Sequence, residues 1–279
     1  MRITFSSDMH GDDAKFQQLL AFARSLRAEV IVLGGDNLPH RAFGRDLLDG
    51  QRQYATNALA RSLSDLLALC PVYLIPGNDD FAAAYADLRD RVSNPELHLV
   101  HGAIAALPDG RELVGYACVP QTPFSLKDFD RRDLAADAPV TTPASALISS
   151  QDRMVSVSTP IYLASQPSIE EELALLPVPH NPGRAVYVFH SPPFGIGLDT
   201  AWSGEPLGSK AIASFVELHQ PLATLHGHIH EAPACSGTYV AYVGRTMCVN
   251  PGQERGRLHA ISFDTRDPFA TLTHSLIGL

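Results

Sequence analysis

Three times within its first eighty residues the chain repeats one pattern: a short apolar run, a polar loop rich in Gly and Asp, and an amphipathic stretch. Arg2 to Ser7 alternates as a strand and gives way to Asp8-Met9-His10-Gly11-Asp12-Asp13, after which Phe16, Leu19, Leu20, Ala23 and Leu26 recur at helical spacing. Val30 to Leu33 is apolar throughout, the mark of a strand buried on both faces, and ends at Gly34-Gly35-Asp36-Asn37. Leu59, Leu63, Leu66 and Leu67 then trace the face of another helix, which Pro71 stops before the strand Val72 to Ile75 and its loop Pro76-Gly77-Asn78-Asp79-Asp80. This alternation predicts an α/β fold in which helices cover a sheet and chemistry gathers on loops beyond the carboxyl ends of the strands.

Further along, Leu97 to Val100 and Glu112 to Val119 read as strands, and the character then changes. Between Pro120 and Pro182 lie nine of the 21 prolines and one clear helix, opened at Ser168 with Glu171 completing a capping box. Phe124, Phe129, Ile161, Tyr162 and Leu163 give this stretch something to pack with, so it is expected as an ordered excursion beside the site, within one domain spanning 1–279. Regularity returns with the strand Ala185 to Phe189, which runs into His190-Ser191-Pro192-Pro193. A helix from about Ser209 to His219 follows, and the strand Leu222 to Leu225 delivers His226-Gly227-His228-Ile229-His230. Tyr239 to Val243, Thr246 to Val249, His259 to Phe263 and Thr271 to Leu276 read as antiparallel strands.

Composition removes several classes of function. Lys and Arg number 21 against 30 Asp and Glu, a formal charge of -9, which speaks against broad nucleic-acid or anionic-membrane binding. No apolar run approaches the ~18 residues that span a bilayer, and Met1 to Phe5 opens as a strand instead of a signal peptide. Cys70, Cys118, Cys235 and Cys248 are scattered and lack C-x-x-C spacing, so a reducing, cytoplasmic setting is expected. Oligomeric state is left open.

Five strand-like segments thus end in loops carrying Asp, Asn or His: Asp8 and His10, Asp36, Asn78, His190, and His228 with His230. Carboxylate, amide oxygen and imidazole suit divalent Mn, Fe, Co or Zn, and the absence of Cys from the set argues for a site that keeps water on the metal. A G-H-x-H string is expected by chance roughly 0.04 times in such a chain, and the ordered set is far more specific than any one part. His226 is expected to point into the sheet, and His98, His101, His180, His219, His259 and His274 to be surface or satisfied core residues.

The ordered motifs D-x-H, G-D, G-N, a lone His before Ser-Pro, and G-H-x-H resemble those of the calcineurin-like metallophosphoesterases, from Met1 to about Gly252, nearest to the small prokaryotic members. The resemblance implies a four-layer α/β/β/α sandwich and a centre of two divalent ions, manganese first, with iron or zinc as alternatives. It places Asp8, His10 and His230 on one ion and Asn78, His190 and His228 on the other, with Asp36 bridging, and it implies a bridging hydroxide that attacks a small phosphorylated substrate.

One departure stands out. Where the family reads G-N-H-[D/E], this chain has Gly77-Asn78-Asp79-Asp80, so Asp79 occupies the position of a histidine that contacts phosphate or protonates the leaving group. An ionised Asp79 would repel anionic substrates, which tilts the expectation toward phosphodiesters or good leaving groups. His40, in an irregular stretch after Asp36, is the candidate for supplying acid help. Arg131 and Arg132 could grip a phosphate, against the alternative of a solvated face, and Trp202 could stack on a ring, against packing under its loop. Two rival readings follow: a metal-binding scaffold with weak or no turnover, which the missing histidine favours, and a single-strand nuclease, which the charge disfavours.

Overall fold

The computed structural model describes residues 1–40, 46–150 and 153–276. Strand β1 (Arg2–Ser6) pairs in parallel with β2 (Val30–Leu33), β2 with β3 (Val72–Leu74), and β3 with β4 (Leu97–Leu99). The crossovers carry α1 (Asp13–Ser25), then α2 (Leu47–Tyr54), which runs through a π-helical turn (Ala55–Leu59) into α3 (Ala60–Leu67), and a further helix, α4 (Ala82–Arg91), lies between β3 and β4. Asp12 caps α1 by accepting from the amides of Ala14 and Lys15.

The continuous apolar runs are explained by two-sided burial. Ile31, Leu33, Val72 and Leu74 face outward onto Phe16, Leu19, Leu59 and Leu63 of the helices, whereas Val30, Val32 and Tyr73 face a second sheet. Strand side chains alternate between faces, so a strand clamped between two layers needs apolar residues at every position. Each such Leu or Ile contributes about 1.5–3 kcal/mol relative to exposure.

That second sheet begins with the antiparallel pair β5 (Ile104–Ala106) and β6 (Glu112–Tyr116). The proline-rich excursion follows. It is ordered around the short pair β7 (Val119–Pro120) and β8 (Asp130–Arg131), a hairpin of β9 (Ser145–Ser150) and β10 (Arg153–Ser158), and helices α5 (Thr159–Ser165) and α6 (Ile169–Leu173). The hairpin and α5 were not expected from sequence. Pro160 sits in the first turn of α5, where it needs no amide partner, and so starts a helix in a region where proline suggests interruption.

β11 (Val186–Phe189) lies parallel to β6 and to β12 (Ala223–Leu225), with α7 (Lys210–His219) between them in sequence, and α8 (Ala232–Ser236) follows β12. The remaining strands divide between the sheets and are not uniformly antiparallel. β13 (Val240–Val243) pairs antiparallel with β14 (Thr246–Val249), but β14 runs parallel to β12. β15 (Ile261–Asp264) returns to the first sheet, antiparallel to β1. The predicted last strand shrinks to β16 (Thr273–His274), because Pro268 and the Asp267 cap start α9 (Pro268–Thr271). The orders are β16-β15-β1-β2-β3-β4 and β13-β14-β12-β11-β6-β5. Two facing sheets flanked by helices give the four-layer α/β/β/α architecture. Among the described residues no helix is long and apolar enough to cross a membrane.

Candidate metal centre

The loops after β1, β2, β3, β11 and β12 meet at one edge of the two sheets. Those after β1 and β2 are joined by amides, Asp8 N–H to the Gly35 carbonyl at 2.9 Å, His10 N–H to that of Asp36 at 2.8 Å and Gly11 N–H to that of Asn37 at 3.1 Å. Asp8, His10, Asp36 and His228 all adopt left-handed backbone, with φ of 59°, 49°, 50° and 67°. Two glycines let the loops close. A Cβ on Gly77 would sit 2.2 Å from Asp36 Oδ1, and one on Gly227 would sit 2.3 Å from Asp8 Oδ2.

All seven residues read from sequence as ligands lie together here. His10 Nε2 and His230 Nε2 approach to 3.2 Å, and His230 Nε2 lies 3.1 Å from Asp8 Oδ1. On the other side, His190 Nε2 lies 3.3 Å from Asp36 Oδ2, 3.2 Å from Asn78 Oδ1 and 3.9 Å from Asp8 Oδ1. His190 Nδ1–H donates to the Gly34 carbonyl at 2.7 Å, which fixes the tautomer and leaves Nε2 toward the carboxylates. The rings of His190 and His228 are 5.4 Å apart, and the His228 amide donates to both Asp8 oxygens at 3.1 and 3.2 Å. Asp8, Asp36 and His190 are almost wholly buried.

Electrostatics describe a site that demands positive charge. Burial works against ionising Asp8, yet His230, His190 and His10 hold its carboxyl far below the usual range, and His190 does the same for Asp36. Burial also opposes a charge on His190, but Asp36 and Asp8 outweigh it and hold the ring up to about 10. Burial instead pushes His10 down to about 4 and His228 to about 3, leaving neutral imidazoles. Asp8, His10, Asp36 and His230 each offer one ligand atom within 4.8 Å of the others. Among the described residues no hydrogen-bond partner reaches the buried His10 Nδ1. Two imidazole nitrogens and two buried carboxylates converging in this way fit a divalent cation.

The other residues singled out from sequence fall in two places. His10, His40 and Asp79 form a second close group, with the His10 and His40 rings 4.8 Å apart. Burial, and next the charge of Asp36, push the Asp79 carboxyl up to about 7. His40 and the exposed Trp202 line an open cleft of about 900 Å³ that contains Asp8, His10 and His230. Arg131 and Arg132 are absent from its lining. The Arg131 guanidinium donates to Glu172 at 3.1 Å and to the Asp128 and Asp130 carbonyls, and Arg132 donates to the Ala135 and Gln166 carbonyls, so both brace the excursion. His226 is buried in the sheet, donating from Nδ1 to the Ser191 carbonyl and accepting from Thr224 at 2.7 Å.

Sequence reasoning missed the residues that hold these loops. Asp80 accepts from the amides of Asn37, Leu38 and Gly77, and Asn250 Nδ2 donates to the carbonyls of Leu198, Gly227 and Ile229. Gln253 Nε2 donates to the Ser7 carbonyl at 2.8 Å, and the buried Lys15 ammonium donates to that of Asp8. Lys15 is the one a reader could have found, since it falls on the apolar side of α1 with Phe16 and Leu19.

The family model for calcineurin-like phosphoesterases matches residues 1–232, most of the chain. The chain belongs to the calcineurin-like phosphoesterase family. Its members are divalent-metal-dependent phosphoester hydrolases, and this calcineurin-like phosphoesterase carries a candidate metal cluster at Asp8, His10, Asp36 and His230. No curated protein matches its sequence. One solved structure superposes with a TM-score of 0.67 at 16% identity over 98% of each chain. The protein TT1561 of Thermus thermophilus gives 0.59 at 18% identity over 98% of this chain and 97% of its own. A dimetal phosphatase from Danio rerio gives 0.52 at 12% identity over 94% and 92%. At these identities the likeness is one of fold.

Proposed function

We propose that the protein is a dinuclear metal-dependent phosphodiesterase, with Asp8, His10 and His230 on one ion, Asn78, His190 and His228 on the other, and Asp36 between them. The observation that carries this reading is the convergence of His10 Nε2, His230 Nε2 and Asp8 Oδ1 at 3.1–3.2 Å, with Asp36 reaching on its other side to His190 Nε2, itself 3.2 Å from Asn78 Oδ1. Manganese is the first choice, with iron or zinc as alternatives, and the four free cysteines suit a reducing compartment such as the cytoplasm. When bound, the two ions supply a hydroxide nucleophile and offset charge on the phosphoryl oxygens.

The chain's own residues then set the substrate class. Asp36 and Asp8 are ionised and buried, so the site accepts an anion only against matching cationic charge. Asp79, 3.9 Å from His10 Nδ1, is held up first by burial and next by the charge of Asp36, and cations at the centre would counter the second of these and favour the ionised form, which gives no proton to a leaving group. Leaving groups that depart without one are therefore favoured, as in aryl phosphodiesters, and Trp202 at the cleft rim offers a face for an aromatic group. His40 is the remaining group able to help an alkyl leaving group.

The test compares bis-p-nitrophenyl phosphate with p-nitrophenyl phosphate at saturating Mn, for the parent and Asp79→His. The parent is expected to favour the diester, and the substitution to raise the monoester rate. A parent that prefers the monoester refutes the diester assignment, and metal retention without hydrolysis of any phosphoester would favour the scaffold reading.

A further inference from the structure

Asp79 has surroundings that suit a carboxylate and would not suit the histidine of its relatives. Its Oδ1 accepts a hydrogen bond from Asn78 Nδ2 at 3.1 Å, and its Oδ2 lies 3.9 Å from His10 Nδ1. That nitrogen is buried and has no hydrogen-bond partner among the described residues. The Asp79 backbone is anchored by its own amide, which donates to Asp36 Oδ1 at 2.8 Å. Its side chain keeps 26% of its surface exposed, which leaves it room to turn.

We propose that Asp79 is a positioning residue that orients two ligands at once, fixing the amide of Asn78 and the ring of His10 so that Asn78 Oδ1 and His10 Nε2 face the metal centre. An asparagine side chain can present oxygen or nitrogen to a site, and only the oxygen ligates a hard cation. With Nδ2 held by Asp79, the oxygen points inward, 3.2 Å from His190 Nε2. A histidine likewise ligates through one nitrogen while the other carries the proton, and a carboxylate accepting that proton fixes the tautomer and raises the basicity of the ligating atom. Closing the 3.9 Å separation to a normal hydrogen bond takes about 1 Å of movement. A neutral imidazole at this position has one acceptor nitrogen and could not serve both neighbours, whereas a carboxylate has two oxygens. The proposal rests on the metal reading of the site and assigns Asp79 a role other than proton donation.

The experiment measures Mn binding by the loss of the free-ion electron paramagnetic resonance signal, in the parent, Asp79→Asn and Asp79→Ala. Asp79→Ala is expected to weaken affinity about 10–100-fold, and Asp79→Asn, which keeps one acceptor oxygen, to fall between it and the parent. Cobalt-loaded Asp79→Ala should show displaced ligand-field absorption bands, a change that a merely structural role would not produce. Melting of the metal-free variants checks that the fold is retained. Affinities within about threefold of the parent in both variants, or tighter binding on removing the charge, overturn the proposal while leaving the metal site standing. A parent that binds no Mn overturns the metal reading and this inference with it.

Discussion

Asp80 makes a sharp test of how the site is held, because its carboxyl hydrogen-bonds to none of the candidate ligands and ties together the loops that carry Asp36 and Asn78. Its carboxylate is wholly buried. Oδ2 accepts from the amides of Gly77 at 3.0 Å and Asn37 at 3.3 Å and from the Tyr85 hydroxyl at 3.0 Å, while Oδ1 accepts from the Leu38 amide at 3.0 Å. Asp80→Ala strands the three amides at about 2 kcal/mol each, while the Tyr85 hydroxyl keeps the Ile75 carbonyl at 3.2 Å, and relief of the buried carboxyl's desolvation offsets about half of the total, leaving about 3 kcal/mol. Asp80→Asn keeps an oxygen for the three donors at Oδ2 and turns an amino group against Leu38 N–H, for a loss of about 2 kcal/mol. At about 2.1 cal/mol/K per residue, a chain of 279 residues unfolds with an entropy near 0.6 kcal/mol/K, so these losses lower Tm by about 5 °C and about 3 °C. Calorimetry of the metal-free variants reads this directly. A drop under about 2 °C for Asp80→Ala, or an equal drop for both variants, would show that the four contacts do not carry the loops.

Two further outcomes follow from the same geometry. Mn at one hundred times its Kd should stabilise the fold by about 2.7 kcal/mol, or about 5 °C in Tm, and Asp36→Asn should abolish most of that rise; a rise that survives the substitution places the ion elsewhere. His274 is buried with Nε2–H donating to the Pro251 carbonyl and Nδ1 accepting from the Leu276 amide, and burial lowers its affinity for a proton. A depressed histidine stabilises the fold fully above its unfolded value of 6.5, and that contribution is lost as pH falls through its folded value. The acid-side decline of Tm should therefore be shallower in His274→Gln, and an unchanged slope would remove His274 as its source.

Much of the architecture could be read from periodicity because the clamped strands write themselves as uninterrupted apolar runs: Val30 to Leu33 admits no polar residue on either face. The candidate site could be read because Asp, Asn and His, each common enough alone where a strand ends, recur there in order, with His228 and His230 flanking one isoleucine. The supporting residues were not legible for a physical reason. Asp80, Asn250 and Gln253 act by receiving or donating backbone hydrogen bonds across distant loops, and a polar residue in a turn looks the same whether it caps its own loop or another's. The hairpin β9–β10 escaped for a related reason. Its Ser-rich strands are only partly buried, so the alternation of apolar and polar residues that announces a strand is weak.

What the sequence could show least is the feature that aims the ligands. A left-handed backbone costs a residue other than glycine on the order of 1–3 kcal/mol, and Asp8, His10, Asp36 and His228 all adopt it. Such conformations persist only where the surroundings over-determine them, and here they do. The amides of Asp8 and His10 are held by the Gly35 and Asp36 carbonyls, and that of His228 by the Asp8 carboxylate. The strain therefore falls on four of the seven candidate ligands. Side-chain direction at the centre is set by backbone hydrogen bonds between loops on different strands. The flanking glycines belong to the same arrangement: Gly77 and Gly227 admit Asp36 and Asp8 at distances that any Cβ would forbid, and without them the loops could not close on the strained residues.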